Sequence, residues 1–523
     1  MKSYGVLVGG HGREGKGWAY VARTSALLAD PLTVGRLTLN RERDGGDEDD
    51  ERLAGRVAVA TAEQVAEALR AARAAQPEWG RRPLAERLEL AGLIYRELVR
   101  RADELIDVLV DEGHPVRLAR WELSGMLASF HPDSVALAAE LAERRHQVGQ
   151  HRVRLRYRPD GVVCLSPPQN AATSNSALGI WALIGGNALV VGAPRSCPLG
   201  VNHLYQEIVA PQLGALGAPP AVLSVLCGLT RPMLASWLDS ADVDDIYYFG
   251  SSTRGLALAQ ECLARGKKPV LELSGNDGVL VWRDADVVGA AAALAECFYG
   301  SGQICMVPRY AVAHPAVFDQ LVDAVAAHAR ALRPGLPDDP DVLLSPVFKA
   351  PAMQAVLRQA TDAGATIVTG GRQWDRRGRP SSGGMFLEPT VLRVDGLEMA
   401  DGLAAVRDET FFPLLSIVLP TPSDDGKLLT RVIAFMNANR YGLRNSLWAR
   451  DEAVIDRVCA DLGNGGILKV NDSHIGFTPV LPTHGGTGIT GGPFGGAAIP
   501  LLRTTTLQAI CAAAQPTRPL QAQ

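Results

Sequence analysis

Two patterns of hydrophobic and polar positions alternate along this chain. One is a series of short, mostly apolar runs at 161–165, 189–191, 222–226, 244–248 and 269–273, each followed by a helix-like or glycine-rich segment. Runs of this length predict strands buried on both faces, and their spacing predicts a parallel sheet with crossover connections. A second series repeats the pattern, with strands at 279–282, 309–313, 366–369, 390–392 and 415–419 and helices at 287–299, 316–333 and 353–363. The other pattern is amphipathic and helical. It runs from Thr61 to about Leu141, is rich in Ala, Leu, Arg and Glu, and breaks at Pro83 and Pro115. Thr61-Ala62-Glu63-Gln64 has the form of a capping box at its start. Around 180–191, Gly185, Gly186 and Asn187 interrupt an apolar run and predict a helix, a turn and a buried strand.

Three segments depart from these patterns. The charged, glycine-containing run at 41–53 predicts a solvated loop. Arg152 to Tyr157 alternates strictly as Arg-Val-Arg-Leu-Arg-Tyr, a half-exposed strand that reads as a surface edge or as an edge pairing with another subunit. The proline- and glutamine-rich tail at 515–523 predicts disorder. No repeat of solenoid period is visible.

Bulk properties narrow the class. At 523 residues the chain exceeds one hydrophobic core, so two or three domains are expected. A net charge of −4 supplies no global positive field and argues against nucleic acid as a partner. No run approaches the ~20 consecutive apolar residues of a membrane span. The opening Met1-Lys2-Ser3-Tyr4-Gly5 lacks a secretory pattern, so a cytoplasmic location is expected. Cysteines stand at 164, 197, 227, 262, 297, 305, 459 and 511, with no C-x-x-C pair, so no structural metal is expected. Most read as small buried hydrophobes in a reducing compartment.

Cys305 is different because of its neighbours. Leu271-Glu272-Leu273-Ser274-Gly275-Asn276 and Gly302-Gln303-Ile304-Cys305 lie about thirty residues apart and supply a carboxylate and a thiol. A thiolate can add to a carbonyl carbon and hold the product as a thioester, and a carboxylate can deprotonate the water that releases it. Gly250 and Ser251 follow the strand 244–248 and precede a helix-like segment, a setting that lets backbone amides meet a diphosphate.

Taken in order, these motifs resemble those of the aldehyde dehydrogenase superfamily. They are Ser166-Pro167-Pro168-Gln169-Asn170, Gly185-Gly186-Asn187, Gly250-Ser251-Ser252-Thr253-Arg254-Gly255, the Glu272 and Cys305 segments, Glu409-Thr410-Phe411-Phe412-Pro413 and Pro493-Phe494-Gly495-Gly496. The resemblance implies an α/β fold with a Rossmann-like cofactor domain (1–142 and 161–274), an α/β catalytic domain (275–480) and a small β oligomerisation arm (143–160 and 481–514). It implies NAD(P)-dependent oxidation of an aldehyde through a cysteine thiohemiacetal and a thioester. Cys305 would be the nucleophile, Asn170 an oxyanion donor with the Cys305 amide, and Glu272 the base. Gly250, Ser251, Gly255, Arg195, Gly192, Leu273, Glu409 and Phe411 would bind the cofactor, NADP or NAD. A homodimer or homotetramer is implied. Rival readings are an acylating, coenzyme A-dependent or reductive enzyme, which Glu272 opposes, and a non-catalytic binding or scaffold protein on the same fold.

The chain also departs from the family pattern. Gly192 and Arg195 stand where relatives carry lysine and often glutamate, and an arginine fork suits a 2′-phosphate, which tilts the expectation toward NADP. Gln169 replaces a tryptophan, Gly300 an asparagine and Phe412 a glycine, and the usual continuation after Gly496 is missing. The resemblance places Ser174, Asn175, Ser176, Trp181, Met306, Asp472, Ser473 and His474 around the substrate, and their polarity suggests a functionalised aldehyde.

Overall fold

The computed structural model describes residues 1–46 and 49–514; the tail read as disordered lies outside the described residues. Two seven-stranded sheets organise it. In the first, the strands run in the order Lys268–Glu272, Asp245–Phe249, Val162–Ser166, Ala188–Pro194, Leu223–Gly228, Val6–Val8 and His11–Arg13. The first five are parallel, and Val6–Val8 pairs antiparallel to them. The second runs in the order Thr366–Thr369, Thr390–Asp395, Leu414–Leu419, Pro308–Ala313, Asp277–Val281, Arg444–Trp448 and Ile467–Val470, parallel except for its first strand. Every apolar run expected to be a strand is one, within three residues at either end.

The helical stretch divides where its prolines demand. Pro83 and Pro115 are the N-caps of Leu84–Arg100 and Val116–Ser129. Thr61 caps Ala62–Arg81 in a complete capping box, its hydroxyl accepting from the Gln64 amide while the Gln64 side chain accepts from the Thr61 amide. Both ends of that box satisfy helix-start donors that would otherwise face water.

Three expectations need correction. The run at 41–53 is not simply a loop: Pro31–Asp44 is a helix, started by Asp30, whose carboxylate accepts from the Thr33 amide, with Pro31 at its first turn. Arg41 and Arg43 then favour the negative end of that helix. Leu53–Ala58 is a strand between Lys2–Tyr4 and Trp18–Ala22. The helix expected at 287–299 stops at Ala295, because the segment beyond it turns sharply toward Cys305. The strand His151–Pro159 is no edge: it is the middle of a three-stranded sheet, paired with Glu143–Val148 and Thr505–Ala513. Among the described residues no helix is long and apolar enough to cross a membrane.

Candidate active site

Cys305 ends a loop that the chain makes tight. Over Glu296–Gly302, Gly300, Ser301 and Gly302 take φ values of 55°, 56° and 71°. A left-handed serine costs ~1–2 kcal/mol. Ser301 is held there because its hydroxyl donates to the Ser345 carbonyl (2.7 Å) and accepts from the Ser345 amide (3.0 Å). A side chain at Gly302 would come within 2.5 Å of the Phe412 carbonyl, so this loop is pressed against the 409–413 segment. The buried Arg309 donates to the carbonyls of Gly302 and Ile304, each at 2.8 Å. On the other side, a Cβ at Gly275 would lie 2.1 Å from the Cys305 carbonyl, so the chain leaving Glu272 runs directly against the cysteine.

Cys305 and Asn170 line one cavity of about 540 Å³. The Asn170 amide donates to the Gln303 carbonyl (2.8 Å), which ties the loop after Val162–Ser166 to the cysteine loop. An amide nitrogen carries two protons, so one remains for a second acceptor. The wall is largely apolar, with Trp121 and Met126 on Val116–Ser129, Leu178, Ile304, Met306 and Phe477. Trp121 and Phe477 form a tilted ring pair with centroids 4.9 Å apart. Apart from Asn170, its polar side chains include several that are already engaged. Glu122, almost fully buried, accepts from the Ser174 hydroxyl (2.7 Å) and lies 2.5 Å from the His114 imidazole. Burial pulls the His114 imidazole down, but the Glu122 carboxylate prevails and holds it above the usual histidine value. Burial pushes His484 down to about 3, so it is neutral; its Nε2 meets the Asn175 carbonyl oxygen (2.8 Å) and its Nδ1 the Thr483 hydroxyl (2.6 Å). Among the described lining residues there is no lysine or arginine.

Burial pushes the Cys305 thiol up to about 12, and the carboxylates of Glu409 and Asp277 push it the same way. Glu272 is buried too, and burial raises its carboxyl. Its Oε2 accepts from the Gly485 amide (2.7 Å), and Arg503 stands 3.8 Å from Oε1. It does not line the cavity shared by Cys305 and Asn170.

Of the residues expected around the substrate, Ser174, Asn175 and Met306 line this cavity. Trp181 lines an adjoining one, and its indole donates to Ser129. Ser176 turns inward to the Thr173 carbonyl. Asp472 meets Lys469, Ser473 meets Glu296, and His474 is buried between Ser446 and Asp277, so none of these three faces the cysteine. Trp121, Glu122, His484 and Phe477 were not anticipated. The i, i+4 spacing of Leu118, Glu122 and Met126 on one helix points to Glu122 alone, and a carboxylate inside an apolar stripe reads equally well as a core ion pair.

The residues expected at the cofactor divide into four pairs. Gly250 and Ser251 precede the helix Ser252–Leu263, whose start Ser251 caps by accepting from the Arg254 amide. The Ser252 hydroxyl there is buried without a partner, and first-turn amides lack helical acceptors, so the donor set fits a diphosphate. Gly255 is needed for packing, since a Cβ would lie 2.2 Å from Leu273, whose own amide donates to the Thr490 carbonyl. Gly192 and Arg195 stand at and just beyond the carboxyl end of Ala188–Pro194. A side chain at Gly192 would strike Met233 and Trp237 at 2.7 and 2.8 Å, which accounts for the missing lysine. Arg195 is not a free surface residue, for it pairs with Glu42 at 2.7 Å. Glu409 accepts from the Gly275 amide (2.9 Å), and Phe411, with φ of 58°, lies under the Lys349 ammonium at 4.9 Å. Among the described residues no cluster of potential metal ligands occurs.

This cysteine, its cavity and the doubly wound sheet beside it define the class. The profile of the aldehyde dehydrogenase family matches residues 46–499, and the chain belongs to that family. It is 29% identical over 441 residues to the N-succinylglutamate 5-semialdehyde dehydrogenase of Novosphingobium aromaticivorans, covering 82% of this chain and 87% of that one. It is 29% identical over 431 residues to a putative succinate-semialdehyde dehydrogenase [NADP(+)] of Mycolicibacterium smegmatis, covering 80% and 78%. The fold is that of the Mycobacterium tuberculosis aldehyde dehydrogenase complexed with NAD+, with a TM-score of 0.80 over 99% of this chain and all of that one, at 22% identity.

Proposed function

We propose that this enzyme oxidises an aldehyde to a carboxylic acid with NAD+ or NADP+, using Cys305 as nucleophile. The observation that carries the reading is the meeting of Cys305 and Asn170 in one apolar cavity, with the cysteine loop clamped by Arg309 and Ser301. The Cys305 sulfur adds to the carbonyl carbon as its proton passes to solvent and the carbonyl π pair moves onto oxygen. The free N–H of Asn170 and the Cys305 amide receive the developing oxyanion. When bound, the nicotinamide supplies the hydride acceptor that turns the thiohemiacetal into a thioester. Glu272 then turns from the Gly485 amide and takes a proton from water; its raised pKa suits a base working near neutrality. Residues 1–142 and 161–274 would hold the dinucleotide, with Gly250, Ser251, Arg195 and Glu409 nearest to it. Residues 275–480 would carry the cysteine, and 143–160 with 481–514 would mediate assembly into a homodimer or homotetramer.

The cavity also points to a substrate class. The two semialdehyde dehydrogenases named above are named for aldehydes that carry a distal carboxylate. Here the cavity holds a carboxylate of its own, Glu122, and no cation to neutralise a second. A buried unpaired carboxylate is costly. An uncharged aldehyde with an apolar, aryl or alkyl body fits instead. The test is an aldehyde panel read by NAD(P)H absorbance, with Cys305→Ala as control. Benzaldehyde or hexanal should exceed succinate semialdehyde in kcat/KM; turnover that survives in the alanine variant would overturn the cysteine mechanism.

One observation favours an acylating enzyme: the Glu272 carboxylate faces Gly485 and Arg503 rather than the cavity, which leaves a thioester less exposed to activated water. Product analysis with and without coenzyme A separates the two readings.

A further inference from the structure

Residues 24–44 lie outside the span that matches the family. They form two helices, Thr24–Ala29 and Pro31–Asp44. One end of this segment is anchored on the second sheet's side, where Leu28 is buried against Leu344, Trp374 and Phe386. There Thr24, Leu27 and Leu28 close one side of a cavity of about 960 Å³ whose other walls include Asn170 and Gln303, two residues before Cys305. The segment's far end reaches the first sheet, where Glu42 Oε2 meets Arg195 Nη2 at 2.7 Å, one residue past the end of Ala188–Pro194. A third tie, a paired contact of Arg23 with Asp111 at 2.5 and 2.6 Å, holds the entry to the first helix. In an open parallel sheet, the crevice outside the carboxyl ends of the strands is where a dinucleotide lies, and an arginine beside it accommodates a 2′-phosphate.

We propose that residues 24–44 are a strap across the cofactor cleft and that Glu42 occupies, on Arg195, the place of a cofactor 2′-phosphate. The inference rests on the NAD(P)-dependent reading above. Its chemistry is simple competition. Carboxylate and phosphate both accept from the same planar guanidinium fork, so only one can hold it. Gly192 leaves no lysine to take the phosphate instead, and the room beside it is filled by Met233 and Trp237. NAD+, with a 2′-hydroxyl, can bind while the Glu42–Arg195 pair stays closed. NADP+ must open it and place its phosphate beside a displaced carboxylate. The strap thus turns an arginine that would favour NADP+ into a residue neutral between the cofactors.

The test is calorimetric binding of NADP+ and NAD+ to the full-length wild type, Glu42→Gln and Arg195→Gln at low ionic strength. Breaking a partly exposed pair and removing the repulsion should tighten NADP+ by about three- to tenfold in Glu42→Gln and change NAD+ by less than about twofold. Arg195→Gln should weaken NADP+ several-fold more than it weakens NAD+. Equal shifts for both cofactors, or none for NADP+, would overturn the role of Glu42. Absence of binding by either cofactor to any form would instead sink the NAD(P)-dependent reading and this inference with it. A second measurement needs no variant: NADP+ should speed tryptic cleavage at Arg41 and Arg43 as the pair opens, and NAD+ should not; equal cleavage with both would count against the strap.

Discussion

The resting state of Cys305 can be measured directly. With its pKa pushed up to about 12, about one thiol in 10⁴ is ionised at pH 8, against about a quarter for an ordinary cysteine near 8.5. A more basic thiolate is intrinsically more reactive, by a Brønsted factor of roughly 40 over that difference, so the net deficit is roughly 60-fold. Alkylation by iodoacetamide without cofactor should therefore be slow, and its logarithmic rate should climb with unit slope from pH 7 to 10 with no plateau. Glu409→Gln removes the largest charge acting on the sulfur while keeping an oxygen to accept from the Gly275 amide. If that lowers the pKa by one unit, equivalent to ~1.4 kcal/mol, the thiolate fraction rises tenfold and the net rate about threefold to fourfold. Modification must be followed on the Cys305 peptide, because Cys459 and Cys511 are exposed. A plateau below pH 9, or a rate that Glu409→Gln leaves unchanged, would refute the argument that burial and neighbouring carboxylates suppress the thiolate.

Other outcomes follow from the same geometry. Glu272→Gln should lower kcat by about 10²–10⁴-fold and leave a burst of one NAD(P)H per site, read by stopped-flow absorbance, as acyl-enzyme accumulates; an unchanged steady-state rate would remove Glu272 from the mechanism. Asn170→Ala should lower kcat/KM by about 10²–10³-fold with KM little altered, and a change in KM alone would make Asn170 only a tie to Gln303. Gly192→Lys must push Met233 and Trp237 aside, so it should lower stability in urea by about 1–3 kcal/mol without tightening either cofactor; a tighter cofactor would show that the lysine position is still usable.

What was legible in the sequence was what local periodicity encodes. Strands such as Asp245–Phe249 and Lys268–Glu272 are apolar on both faces because both faces are covered, and that leaves a continuous run to read. The prolines at 83 and 115 mark helix starts for a backbone reason that needs no neighbour. The helix Pro31–Asp44 was hidden by its charge: Leu32 and Leu39 are exposed and Val34 is its one buried residue, so there is no apolar face to detect. The strand His151–Pro159 was read as an edge because its second partner, Thr505–Ala513, lies some 350 residues away in sequence. Asp472, Ser473 and His474 were misplaced for a related reason. Their partners Lys469, Glu296, Ser446 and Asp277 turn them from the cysteine, and no spacing rule reveals a partner.

The two reactive groups share one physical condition. Glu272 is held in protein interior by the Gly485 amide, and Cys305 is half-buried among Glu409, Asp277 and Glu272. Burial disfavours the charged form of each, and each charge would disfavour the other. Arg444 is the cation among the largest charges acting on the thiol, and it donates to the carbonyls of His474 and Thr483. Burial and these carboxylates therefore keep the sulfur protonated. On the proposed mechanism the proton leaves the sulfur for solvent as carbon is attacked, and negative charge passes to an oxygen that Asn170 and the Cys305 amide can receive. On that mechanism, oxyanion binding is then the step that would release the cysteine's reactivity in a site crowded with carboxylates.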